Sequence, residues 1–317
     1  SAFVRSQILA EDFREEDRLR IAEAMKIFNA QQNVIWRDWT FEPFTILLVT
    51  NENEYLINKD GNDEYKFLGY DSILQNNIYA RQRVLNNNFL ATFPAISGIP
   101  TIVVGLPENT GRSGLDWIVT ILHEHFHQYQ YIQPGYYTGV DSLDLAGDDK
   151  SGMWMLNYDF PYKDKKIAEQ YWLLTQAAKN TFLAKNDREL KAFFGLYANE
   201  RKKFRKMLSE KDYKYFSFQI WQEGIARYTE LKIAEWMKNN YELTEKMKEL
   251  SGYTSVDTFY NKVINKLLTR ADAQTLAADG RNCFYTLGAL EGMILDRVNP
   301  GWKDRYFSDK FFIEKYY

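Results

Sequence analysis

The chain has 317 residues, 45% of them hydrophobic and 16% aromatic, which is enough apolar material for a sizeable core and argues against disorder. A formal net charge of −3 leaves no basic footprint and speaks against a nucleic-acid partner. The single cysteine, Cys283, excludes an intrachain disulfide and a cysteine-ligated metal site, and no apolar run approaches the length of a transmembrane segment.

Residues 8–30 have helical periodicity, with Leu9, Phe13, Leu19, Ile21, Ala22, Met25 and Phe28 recurring among charges. The pattern then becomes β-rich, and strands are predicted at 44–49, 54–57, 77–85 and 100–104. Their short connections imply a small, mostly antiparallel sheet within 40–105. A helix follows at about 113–131, then Pro134-Gly135-Tyr136-Tyr137 and a glycine-containing acidic stretch, 141–152, that reads as loop. Beyond it the pattern is helical at 164–183, 187–209, 212–239, 255–269, 281–297 and 304–315. The fold class expected is α+β, with the sheet over the 113–131 helix and a mainly α-helical C-terminal lobe. Two lobes, 1–131 and 132–317, are expected to form one catalytic unit. The chain opens Ser1-Ala2 without Met, so the expectation is an exported protein, periplasmic or extracellular, whose signal has been removed; otherwise it is cytoplasmic.

All three histidines of the chain fall within five positions of the 113–131 helix, in His123-Glu124-His125-Phe126-His127. On a helix His123 and His127 lie about 40° apart around the axis and roughly 6 Å along it, so one zinc ion can bind both. Glu124 projects beside them, where it can accept a proton from water. His125 is about 200° round from either and faces away. Leu115, Ile118, Val119, Leu122 and Phe126 give the helix a buried back face.

A catalytic zinc takes three protein ligands and keeps a position open. The pattern His-Glu-x-x-His-x-x-Gly-x-x-His is ruled out, because positions 130 and 133 are both Gln. With no further histidine the third ligand is a carboxylate. One source is Asp141, Asp144, Asp148 or Asp149; the other is the helical segment around Glu223.

In that segment Glu223-Gly224-Ile225-Ala226-Arg227-Tyr228-Thr229-Glu230 resembles the second motif of the gluzincin metallopeptidases. The resemblance implies a zincin-like fold and Glu223 as third ligand. Small Gly224 and Ala226 would let this helix approach the motif helix, and Glu230 would orient a ligand histidine through its free N–H. The spacing departs from the family: 96 residues separate Glu223 from His127. Two weaker echoes follow. Tyr285-Thr286-Leu287-Gly288, 62 residues beyond Glu223, is similar to the segment of aminopeptidase N-like enzymes whose Tyr stabilises the oxyanion; Tyr228 and Tyr137 compete for that role. Gly105-Leu106-Pro107-Glu108-Asn109 resembles the segment whose Glu, here Glu108, grips a substrate α-amine, although a plain loop at the approach to the helix is the preferred reading.

The resemblance thus implies a zinc-dependent peptidase with one Zn2+ on His123, His127 and Glu223, Glu124 as general base and a peptide or protein as substrate. The rivals are a zinc hydrolase of a non-peptide amide or ester, and an inactive binding protein of the same fold. Retention of Glu124 counts against the last.

Overall fold

The structure is a computed structural model that describes residues 12–39 and 44–317. Residues 8–11 and 40–43, where the expected first helix and the sheet begin, lie outside the described residues. Contacts within the chain group it into two units. The first contains the described residues up to Tyr131 together with Lys232–Asn261; the second contains Ile132–Leu231 and Lys262–Tyr317. Against the expected boundary, the chain therefore returns to the N-terminal unit for Lys232–Asn261.

The first unit opens with helix α1, Glu15–Ala30, and continues into six strands: β1 Ile46–Val49, β2 Asn53–Ile57, β3 Lys66–Asp71, β4 Asn76–Gln82, β5 Leu90–Ile96 and β6 Ile99–Gly105. They form one mixed sheet in the order β3-β4-β2-β1-β6-β5, in which only β1 and β6 pair parallel. The α+β class expected from the sequence is what the fold has. Two strands, β3 and β5, were not expected, and both are edges. Edge strands do without a strict apolar alternation, and β5 tolerates Pro94, which has no N–H for a ladder. The central strands β1 and β2 are buried along their whole length, as strands covered on both faces must be. One face of the sheet packs Leu47, Val49, Leu56, Ile96 and Val103 around Tyr65.

Helix α2, Gly114–Tyr131, lies against β5 and β6. Trp117 Nε1 donates to the carbonyl of Gly105 at 2.9 Å, and Gln128 Nε2 donates to Pro100 O at 2.9 Å and Thr45 O at 3.0 Å. Its first and last turns are thus pinned to the end and the start of β6, so α2 runs antiparallel to that strand.

The later long helices are α3 Lys165–Phe182, α4 Asp187–Met207, α5 Glu210–Gln219, α6 Ile225–Asn240, α7 Val256–Ala273 and α8 Asn282–Val298. The expected continuous helix over 212–239 is instead interrupted by a π turn, Ile220–Gly224, between α5 and α6. The stretch expected as helix at 304–315 is reduced to short turns, Lys303–Tyr306 and Ile313–Tyr316, and the Tyr136–Tyr137 loop is the start of a short helix, Tyr136–Ser142. Among the described residues no helix is long and apolar enough to cross a membrane.

Candidate metal centre

The histidine half of the site is built on α2. His123 and His127 are 5% and 4% exposed, and their Nε2 atoms are 3.1 Å apart. Tetrahedral zinc with bonds of about 2.0–2.1 Å holds its ligand nitrogens roughly 3.3 Å apart, so this pair is spaced for one ion. On the far side of His127, Nδ1 lies 2.6 Å from Gln130 Oε1. A glutamine oxygen only accepts, so Nδ1 carries the hydrogen and Nε2 keeps its lone pair for a cation. In the sequence, position 130 bears on the site first by not being the glycine of the three-histidine pattern. Its spacing, one helical turn beyond His127, is the signal that identifies it.

Glu124 is buried, and Thr92 Oγ1 on β5 sits 3.0 Å from its Oε2 and 2.8 Å from its backbone carbonyl. The edge strand therefore orients the carboxylate. Nothing local in the sequence marks Thr92, because the pairing depends on how β5 packs on α2. His125 faces away as expected. It is fully buried among Phe28, Trp39 and Phe44, with its Nδ1 2.8 Å from Gln128 Oε1, and burial holds its pKa down to about 3. It is a neutral core residue.

The glutamate half is built on the π turn. Widened turns of this kind often occur at functional positions, because they re-aim side chains that a regular helix would place elsewhere. Both neighbours of Glu223 are fixed. Trp221 stacks on Tyr306 at 4.5 Å and accepts from the Tyr306 hydroxyl at 2.6 Å, while Gln222 accepts from the Tyr136 hydroxyl at 3.0 Å. The expectation that Gly224 admits the motif helix is corrected: the backbone it meets is that of α8. A Cβ built on Gly224 would lie 2.6 Å from Gly288 Cα, and one on Gly292 would lie 2.6 Å from the Tyr228 ring.

That close approach sets Tyr285, one turn before Gly288, beside Glu223, whose charge acts on its hydroxyl. Burial, and next the Glu223 charge, raise the phenol well above its ordinary pKa, so it stays an O–H donor; Arg281 and Arg227 pull the other way. Arg281 donates to the same hydroxyl. It precedes Tyr285 by one helical turn, a spacing legible in the sequence. Tyr228 is instead buried, its hydroxyl 2.8 Å from both oxygens of Asp296, and Tyr137 is 54% exposed.

His123, His127 and Glu223 each offer a ligand atom, and these atoms all lie within 4.8 Å of one another. It is the one such group of candidate metal ligands found among the described residues. Two imidazoles and a carboxylate are a donor set suited to zinc and equally usable by other divalent transition metals. None of the four aspartates joins it. Asp144 pairs with Lys211 at 3.2 Å, Asp149 accepts from Ser151 and Trp154 in a turn, and Asp141 and Asp148 are exposed.

No family model, curated protein or solved structure matches this chain. Glu230 pairs with Arg227 at 2.6 Å, whereas the oxygen on His127 Nδ1 is that of Gln130. Glu108 is held by Arg14, with N–O distances of 2.8 and 3.0 Å, and its side chain is 49% exposed.

Proposed function

We propose that the chain is a zinc-dependent metallopeptidase of gluzincin type with a zincin-like fold. The observation behind this reading is the convergence of His123 Nε2, His127 Nε2 and a Glu223 oxygen, with the Glu124 carboxylate next along the same helix. Bound to these three residues, a zinc ion would acidify water and polarise a carbonyl.

The chain's own residues supply the rest. Glu124, oriented by Thr92, accepts a proton from the attacking water and returns it to the leaving amine. Tyr285 is a neutral phenol beside Glu223, and it donates to the oxygen on which negative charge develops. Tyr228 has its hydroxyl committed to Asp296. A peptide is favoured over a simple ester because the strand that holds Glu124 is a sheet edge, and an edge can align an extended chain by backbone hydrogen bonds.

The test is metal analysis of protein purified without chelator, together with a peptide-library digest. One zinc per chain is expected, lost in His123→Ala and His127→Ala, and weakened about tenfold or more in Glu223→Ala. It should be kept in Asp144→Ala, Asp148→Ala and Asp149→Ala. Glu124→Gln keeps zinc and loses cleavage. A wild-type chain that ignores added zinc overturns the proposal. Hydrolysis of esters alone substitutes the non-peptide rival, and zinc binding without any turnover substitutes the binding protein.

A further inference from the structure

Arg281 stands where a helix least favours a cation. It immediately precedes α8 with its backbone already helical, at φ −60° and ψ −22°, so its charge lies at the positive end of that helix's dipole. Its side chain makes no capping hydrogen bond there. It reaches one turn along α8 instead. The guanidinium carbon lies 5.5 Å from the centre of the Tyr285 ring, and Nη1 donates to the Tyr285 hydroxyl. Burial works against the Arg281 charge, and the Tyr285 oxygen, the Glu223 carboxylate and the Tyr215 oxygen more than offset it. Arg227, the other arginine whose charge acts on that hydroxyl, is committed to Glu230 at 2.6 Å. A phenol has one hydrogen to give and lone pairs with which to accept. A donor facing the oxygen takes a lone pair and turns the O–H away from itself. A cation in that place also polarises the O–H bond and makes it a stronger donor. Arg281 thus acts on both the direction and the strength of the one hydrogen that Tyr285 can give.

We propose that Arg281 is a positioning residue for oxyanion stabilisation: it holds the Tyr285 hydroxyl as a directed donor to the oxygen on which charge develops. The inference rests on the metallopeptidase reading and deepens it. Arg281 needs no contact with the substrate for this role, because everything it does passes through the Tyr285 oxygen. A cation that served only the fold would not be placed at a helix start, against the dipole, with its hydrogen bond given to a phenol beside a candidate metal ligand.

The test is a double-mutant cycle on the zinc-loaded full chain, using a peptide that the wild type cleaves. Tyr285→Phe should lower kcat by about 100-fold, as loss of one oxyanion donor does. Arg281→Met, or Arg281→Gln if the first variant does not fold, should lower kcat by about tenfold and leave KM unchanged, because only the transition state is affected. The double variant should be no slower than Tyr285→Phe alone, since without the hydroxyl Arg281 has nothing to position. Arg281→Lys, which keeps a charged donor, should recover most of the rate. Zinc affinity, read by competition with a chromophoric chelator, should be unchanged or tighter in Arg281→Met, because a like charge beside Glu223 has been removed. Additive losses in the cycle overturn the inference, as do a change in KM alone, a Tyr285→Phe variant of normal rate, or an Arg281→Lys variant as slow as Arg281→Met. Weakened zinc binding in Arg281→Met also overturns it, since Arg281 would then be holding Glu223 in place. Zinc and cleavage in the wild type with an additive cycle sink this inference alone. A wild type with neither zinc nor cleavage sinks the metallopeptidase reading and this inference with it.

Discussion

Gly224 and Gly288 meet backbone to backbone: a Cβ on either would lie 2.6 Å from the other's Cα. This contact lets α8 approach the π turn closely enough to set Tyr285 beside Glu223. In an ordinary helix Gly→Ala gains up to about 1 kcal/mol. Here Gly224→Ala and Gly288→Ala should each cost about 1–3 kcal/mol, since backbone must move to admit the methyl. Gly195, in α4 with nothing near its missing Cβ, is the control and should be stabilised by Ala. Denaturant midpoints check all three, and a stabilising Gly288→Ala would refute the packing.

Gln130 should matter to the metal without touching it. Gln130→Leu removes the acceptor that holds His127 Nδ1, so zinc affinity is expected to fall about 10- to 100-fold. Competition with a chromophoric chelator measures this. Unchanged affinity would mean that the hydrogen bond does not orient the imidazole.

Thr92→Val keeps the shape of the side chain and deletes the hydroxyl that reaches Glu124. Zinc content should be normal while kcat falls by about tenfold, because a misaimed base loses part of its general-base contribution. A parallel loss of zinc would assign Thr92 to the fold rather than to the base.

His125→Ala should separate stability from metal binding. The ring fills space among Phe28, Trp39 and Phe44, and its removal should cost about 3 kcal/mol, as other large-to-small changes in cores do. Zinc binding at low temperature, where the variant is folded, should be retained. Loss of zinc from a folded His125→Ala would contradict the assignment of His125 to the core.

The α+β class, the motif helix and the central strands were legible in the sequence because each is a local property. Periodicity places Leu115, Ile118, Leu122 and Phe126 on one face of α2, and the i,i+4 spacing alone puts His123 beside His127. The unbroken apolar run of β1 likewise announces a strand buried on both faces. Local pattern has no access to features decided by what packs where. Edge strands β3 and β5 lack the buried face that writes alternation into a sequence, so Thr92, on β5, stayed invisible. The π turn at Glu223 inserts extra width into an otherwise helical pattern, a change of register that periodicity does not resolve. Whether Gly224 meets the motif helix or α8 depends on the direction of its missing side chain in three dimensions, and the tertiary structure chose Gly288. The sequence by itself determined two candidate ligands and a candidate base, since little more than one helical turn contains them all. Only the tertiary structure groups Glu223, and none of the four aspartates, with the two histidines as possible metal ligands, because no sequence spacing relates residues so distant along the chain.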